Sequence, residues 1–420
     1  MCIRDTLPPH REGGNPDRLE ERPVTDAPEV APPVRGRKRD MPRKRDTFGT
    51  ADPWSPRPSG DHGGETAAND RFARESEVRS VKVEVFERID QVGRKRWDDL
   101  VVTSGAPVFY RSEFLAAFEK VPLHGSQRRA YVTGSDRAGA LRFALPVHVM
   151  RGVDPMRVLA DHFPARADET VLLSHVWHCY DTWLPSDGLD AEVVDAAVGA
   201  LRDVAAEAGA SAFGFVNVEA DGALARALDE AGVPGADIDR RFNADVSSFG
   251  DLDDYLATLD GKQRRNLRRY LRRAEDAGVT TTMIDPAEGD LDGFVELARE
   301  GAAKYGNADY YRPGVFQEFV RSLGPAARLL EIRVGGCLAG ASIALLDSRR
   351  VHWWACGSDY EAIPMVSPFY LAFLNMLREA IARGRPVLEV GRRNEAFKLK
   401  HGLRARTVRA YLADVEEGTA

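Results

Sequence analysis

Apolar and polar positions follow two periods along this chain, and both begin at Val81. "VKVEVFER" (81–88) alternates residue by residue, as a half-buried strand does. "DAEVVDAAVGALRDVAAEAGA" (190–210) repeats its apolar positions at three and four, predicting an amphipathic helix closed by Gly209, and "SAFGFVNV" predicts the strand after it. "YLAFLNMLREAIARGRPVLEV" (370–390) has the same layout: a helix, Gly384 as its cap, then a strand. Strands alternating with helices predict an α/β fold.

The pattern also repeats on a larger scale. "PVFYRSEFLAAFEKV" (107–121) matches "ADYYRPGVFQEFVRSL" (308–323), each an aromatic-Tyr-Arg followed by a helix with Phe on one face. "RAYVTGSDRAGALRFALPVHV" and "RLLEIRVGGCLAGASIALLD" are both a strand, a Gly-bearing turn and a strand. With the helix–strand pairs above and a last strand in each copy, the elements recur in one order at a period of about 170–200 residues. That is too long for a solenoid and predicts two similar domains in tandem. The expected division is 79–250 and 251–420, after a tail at 1–78.

That tail has a different composition. Eleven of the 24 prolines lie in the first 58 residues, beside "RGRKRD" and "MPRKRD". Such a stretch cannot bury enough apolar surface to order itself, which predicts a disordered leader; a start codon placed too early, with Met41 as the later start, is the other reading. The remaining composition is that of a soluble globular protein. No apolar run reaches the ~20 residues of a membrane helix. Four scattered cysteines without C-x-x-C spacing suit a reducing compartment, so a cytoplasmic protein is expected. The net charge of −7 argues against wholesale coating of nucleic acid, though local clusters oppose it.

Residues 262–273 hold seven basic residues and no acid. On a helix, Arg264, Arg268 and Arg272 make one row and Arg265, Arg269 and Arg273 another, with Leu267, Tyr270, Leu271 and Ala274 as the apolar stripe. Like charges four apart destabilise a helix, unless anions answer them: phosphates, or the protein's own acids. A second basic cluster, "GRRNEAFKLKHG" (391–402), follows the strand "PVLEV". "LSHVWHCYDTW" (173–183) gathers His175, His178, Tyr180 and Asp181. A strand or loop points these in different directions and no other ligand pair is near, so no metal is expected.

In the second half, "LDGKQRRNLRRYLRRAEDAGV", "GSDYEAIPMVSPFYLAFLNMLREAIARG" and "EAFKLKHG" occur in an order and spacing that resemble the Fem family of aminoacyl-tRNA-dependent transferases and related tandem GNAT-like acyltransferases. The outline covers about residues 82–415, the specific motifs about 255–412. The resemblance implies two tandem GNAT-like domains and an N-acyltransferase joining an aminoacyl group from aminoacyl-tRNA to a small amine, an amino sugar or a peptide, without a cofactor of its own. Two features depart from it. The long coiled-coil insertion of some Fem proteins is missing, and "EAIPMVSP" stands where coenzyme A-binding GNATs have a glycine-rich pyrophosphate loop. Backbone amides cradle pyrophosphate best where no Cβ intrudes, so the second departure counts against coenzyme A.

By the same resemblance, Lys398 faces the reaction centre as the oxyanion donor and Phe397 shapes the pocket. Donor phosphate falls to Lys262, Arg264, Arg265, Arg268, Arg269, Arg392, Arg393 and Lys400. Asp359, after the fourth strand of the second domain, is the candidate base, and His175, His178, Tyr180, Asp181 and Arg312 are the candidate acceptor-binding residues. Aligning Gly232-Val233 with Gly402-Leu403 sets Ala227-Leu228 opposite Phe397-Lys398, so the first domain has lost the pair and chemistry is expected only in the second. Two other readings stay open: an acyl-CoA-dependent N-acyltransferase of polysaccharide or secondary-metabolite biosynthesis, and a non-catalytic module that binds phosphate or nucleic acid.

Overall fold

Strand alternation at the start of the periodic region produces β1 (Lys82–Phe86), antiparallel to β2 (Arg128–Ser135), which turns back into β3 (Leu141–Arg151). The computed structural model describes residues 81–151, 158–174 and 179–415. The expected tail therefore lies outside the described residues, as do His175 and His178. β4 (Thr170–Ser174) pairs antiparallel with β3 and parallel with β5 (Ala212–Glu219), the α/β crossover being helix α1 (Ala191–Glu207). Asp190 caps α1 by accepting a hydrogen bond from the Val193 amide, and Val193, Ala197, Leu201 and Val204 form the stripe it buries. A helix at Ala223–Glu230 then leads into β6 (Gly235–Asp245).

The second half repeats this plan. Its elements are the basic helix α2 (Gly261–Asp276), β7 (Thr280–Ile284), α3 (Leu291–Ala303), the hairpin β8 (Ala327–Val334) and β9 (Cys337–Leu346), and β10 (Arg350–Ser358). Helix α4 (Pro368–Ala382), β11 (Val387–Glu389), α5 (Glu395–Lys400) and β12 (Arg404–Asp414) follow. One 12-stranded sheet runs β1-β2-β3-β4-β5-β12-β6-β11-β10-β9-β8-β7. That order is symmetric about the β12–β6 pair: β1 answers β7, β2 answers β8, and so on inward.

At the centre the halves trade their last strands. β12, from the end of the chain, lies against β5 of the first half, and β6, from the first half, lies against β11 of the second. The halves also share apolar packing: Phe114 of the first meets Phe319 of the second edge to face, 5.4 Å between ring centroids. Gly214 makes the exchange sterically possible. A Cβ there would lie 1.8 Å from the carbonyl oxygen of Tyr411 in β12. Gly214→Ala is expected to cost on the order of 1–3 kcal/mol by forcing the two strands apart, read as a lower urea midpoint without a change in slope.

Among the described residues no helix is long and apolar enough to cross a membrane, and no group of three His, Cys, Asp or Glu is placed to hold a metal ion.

Candidate active site

β10 and β11 run parallel for three residue pairs, the last being His352 with Glu389. β11 ends there, and its chain turns through Gly391, Arg393 and Asn394, all with positive φ, into α5. The turn folds Lys398 back beneath its own loop. Its Nζ donates to the carbonyls of Gly391 (3.0 Å) and Arg392 (2.7 Å) and sits 5.0 Å from the centre of the Phe242 ring. Only 2% of Lys398 is exposed. Burial lowers its pKa from an ordinary 10.5 to about 7, against the opposing pull of Cys356 and Asp239. The Cys356 thiol, on β10, is in turn pushed up to about 11 by burial, with Lys398 working against the rise.

Phe397 anchors the loop. Its ring meets Phe369 (5.0 Å), Tyr370 (5.0 Å) and Phe373 (5.4 Å) of α4, and His401 at 4.3 Å. His401 faces the Phe397 carbonyl at 2.7 Å through Nδ1, and Tyr255 donates to the His401 carbonyl at 2.6 Å. Burial lowers the His401 pKa. The corresponding helix of the first half, Ala223–Glu230, carries Leu228, fully buried, where α5 carries Lys398.

The other expected site residues fall into three places. Arg392 points inward: its guanidinium lies 4.4 Å from the centre of the Tyr180 ring, 3.5 Å from Asp239 and 3.4 Å from the Asn217 side-chain oxygen. Tyr180 and Asp181 join it at this cleft. Arg393, Lys400 and Asp359 are exposed; the Asp359 carboxylate accepts from the amides of Glu361 and Ala362, closing the turn after β10. Arg312, also exposed, donates to the Pro122 carbonyl at 2.7 Å and so ties one half to the other.

On α2, Leu267 and Ala274 are buried and Tyr270 stacks on Tyr370 of α4 at 4.7 Å. Tyr370 touches Phe397, so the basic helix packs one ring away from the Lys398 loop. Lys262, Arg265, Arg268, Arg269 and Arg272 are exposed. Among the described residues only Arg268 of the seven basic residues has a carboxylate partner, Asp253 at 2.7 Å. Arg264 donates to the Ala257 carbonyl and Arg269 to the Asn266 side chain.

Sequence reasoning missed the charge cluster beneath the cleft. Arg241 of β6 is 4% exposed and ion-paired to Asp181 (3.1 Å), Glu389 (2.8 Å) and Glu219. Arg350 reaches Asp181 at 3.9 Å and Asp347 at 3.7 Å, and His352 meets Asp347 at 3.0 Å. Where β10 and β11 part, a cavity of about 20 Å³ opens, lined by Phe109, Tyr180, Trp353 and Trp354 together with Asp181 and Glu389. A charged residue at an inward strand position was the one available signal for Arg241.

Residues 261–399 match the acetyltransferase (GNAT) domain family, a stretch running from the basic helix to one residue past Lys398. No curated protein matches the chain. Among solved structures, FemX is similar, with 11% identity and a TM-score of 0.55 over 79% of this chain and 97% of FemX. L-PGS from Bacillus licheniformis has 12% identity and a TM-score of 0.49 over 78% of this chain and 92% of that one. The tandem GNAT protein from the clavulanic acid biosynthesis pathway has 13% identity and a TM-score of 0.47 over 80% and 100%. Residues 261–399 thus form a GNAT domain. The chain as a whole has the fold of FemX.

Proposed function

We propose that this protein is a cytoplasmic N-acyltransferase that moves an aminoacyl group from aminoacyl-tRNA onto a small amine, an amino sugar or a peptide, with no cofactor of its own. The observation that carries the reading is Lys398, buried at the parting of β10 and β11 with two of its N–H groups spent on backbone carbonyls. In its protonated form, held by about half the molecules near pH 7, a third N–H remains to serve the oxygen of the donor carbonyl. As the amine attacks, negative charge grows on that oxygen, and a preorganised donor in a dry site stabilises it more than it stabilises the neutral ester. Cys179 and Cys356 are free thiols, in keeping with a reducing compartment.

The exposed arginines of α2 support an RNA-borne donor, because among the described residues Arg268 alone of them has a carboxylate partner. Changing Arg264, Arg265, Arg268 and Arg269 to Ala removes four candidate phosphate contacts. The wild type is then expected to lose about 100-fold more tRNA affinity than the variant between 50 and 200 mM salt, as read by filter binding. Protein extracted at low salt and assayed for bound RNA and bound coenzyme A tests the donor directly. Enrichment of specific tRNAs upholds aminoacyl transfer, and coenzyme A without RNA overturns it.

That second outcome is the alternative reading, an acyl-CoA-dependent N-acyltransferase. The match of residues 261–399 to an acetyltransferase family favours it. Lys398 keeps the same role in both.

A further inference from the structure

We infer that Arg392 is a positioning residue: the first half grips its guanidinium and so fixes the loop carbonyls that hold Lys398. This rests on the acyl-transfer reading above and gives the half without the lysine a part in the chemistry.

The first ground is the backbone of the loop. Lys398 Nζ is placed by its hydrogen bonds to the carbonyls of Gly391 and Arg392. Both belong to a turn in which Gly391, Arg393 and Asn394 have positive φ. Arg393, with a full side chain at φ 66°, keeps that conformation only where its surroundings over-determine it.

The second ground is where those surroundings come from. The Phe242 amide on β6 donates to the Gly391 carbonyl at 3.0 Å, and the Val390 amide to the Phe242 carbonyl at 2.9 Å. Next to them the Arg392 side chain crosses into the first half and is only 7% exposed. Tyr180, Asn217 and Asp239 surround its guanidinium, Asp239 being its one carboxylate partner among the described residues. A buried guanidinium with one counter-ion at 3.5 Å is a costly way to fill space, and an apolar side chain would fill it more cheaply. What the guanidinium adds is direction, since its planar fork stacks on one ring and donates to fixed acceptors. So placed, it faces the first half and not a donor phosphate.

The third ground is the shape of the receiving site. Asn217 of β5 is 4% exposed, with φ 60° in the left-handed region. Its backbone carbonyl accepts from the Thr182 amide and its side-chain amide donates to the Cys179 carbonyl, each at 3.1 Å. Those two bonds bracket Tyr180, so one residue places both the ring and the side-chain oxygen that receive Arg392. If Arg392 shifts, its carbonyl shifts, and Lys398 Nζ follows; a displacement near 1 Å costs about 100-fold in rate.

The test reads Lys398 directly. The chain has nine lysines, so ¹³C labelling at lysine Cε gives few signals, and the one missing from Lys398→Met is assigned to Lys398. Its titration is followed by NMR in the full chain, without donor or acceptor. Cys356 of β10 and Asp239 of β6 are the titratable groups acting on it, and no variant changes either. In Arg392→Met the midpoint is expected to rise from about 7 by about one pH unit, as the loosened loop admits water. Arg392→Lys keeps the charge without the planar fork and is expected to fall between. Asn217→Gly decides the case: it keeps the left-handed backbone and removes no charge, so a rise there comes only through position. Should it not fold by near-ultraviolet circular dichroism, Tyr180→Leu replaces it with the same expected direction. A wild-type midpoint in the folded variants, or a rise in Arg392→Met alone, overturns the inference. So does a salt slope for binding bulk tRNA that falls by about one in Arg392→Met, the mark of a lost phosphate contact. Because no substrate is present, the titration succeeds or fails separately from acyl transfer.

Discussion

Lys398→Met is expected to lower turnover on the order of 100–1000-fold while the protein stays folded, the usual consequence of removing one oxyanion donor. The fold survives because the substitution has opposing effects. It deprives the Gly391 and Arg392 carbonyls of a donor, and it removes a cation that burial disfavours. Single-turnover rates alongside near-ultraviolet circular dichroism separate chemistry from folding. A loss below about tenfold would reduce Lys398 to a strut for its loop, since even a weak oxyanion contact exceeds that. The same residue sets a pH dependence. Between pH about 7, its folded value, and 10.5, its unfolded one, the unfolded chain holds a proton the folded chain has released. Unfolding free energy therefore rises with pH across that window, by at most about 1.4 kcal/mol per unit. Urea titrations at pH 7 and 9 are expected to show this gain in the wild type and to lack its Lys398 share in Lys398→Met.

Arg241→Met has the largest expected effect on stability. The guanidinium faces Asp181, Glu219 and Glu389, and its removal leaves those carboxylates together in a buried site. Breaking a buried pair by deleting one partner costs about 3–5 kcal/mol, and here one deletion strands Glu389 and leaves Asp181 and Glu219 only the longer pairs to Arg350 and Arg406, each at 3.9 Å. Its neighbour is the natural control. Arg240 points out of the same strand to an exposed ion pair with Glu395, and Arg240→Met is expected to cost less than about 1 kcal/mol. Urea unfolding of the two variants at pH 7 measures the difference. Coincident midpoints would mean that the cluster does not depend on Arg241.

These two arginines also mark how far the sequence could be read. Alternation along "GADIDRRFNAD" says that one of them faces inward, but not what it meets, because Asp181, Glu219 and Glu389 come from three separate stretches. Helices α1 and α4 and both hairpins were legible, since each is specified by its own periodicity and its own turn. The Lys398 loop was legible as a motif, though its short helix and the burial of the lysine depend on α4 and β6. Asp359 attracts attention by following β10 in the chain. Chain order does not give direction, and its side chain turns to its own backbone. The traded strands were not legible at all: β6 and β12 each read as the last strand of their own half, and nothing in the pattern says which half's sheet each one joins.

That trade has a consequence for how the protein is made. β5 gains its neighbour β12 only when residues 404–414 exist. At about 5–20 residues per second of synthesis, the roughly 160 residues between the end of β6 and the start of β12 take about ten to thirty seconds. Throughout that interval β5 is an open edge, apolar on both faces, in a nascent chain. Open edges recruit other chains, so the ribosome-bound first half is the stage at which this protein most needs a chaperone.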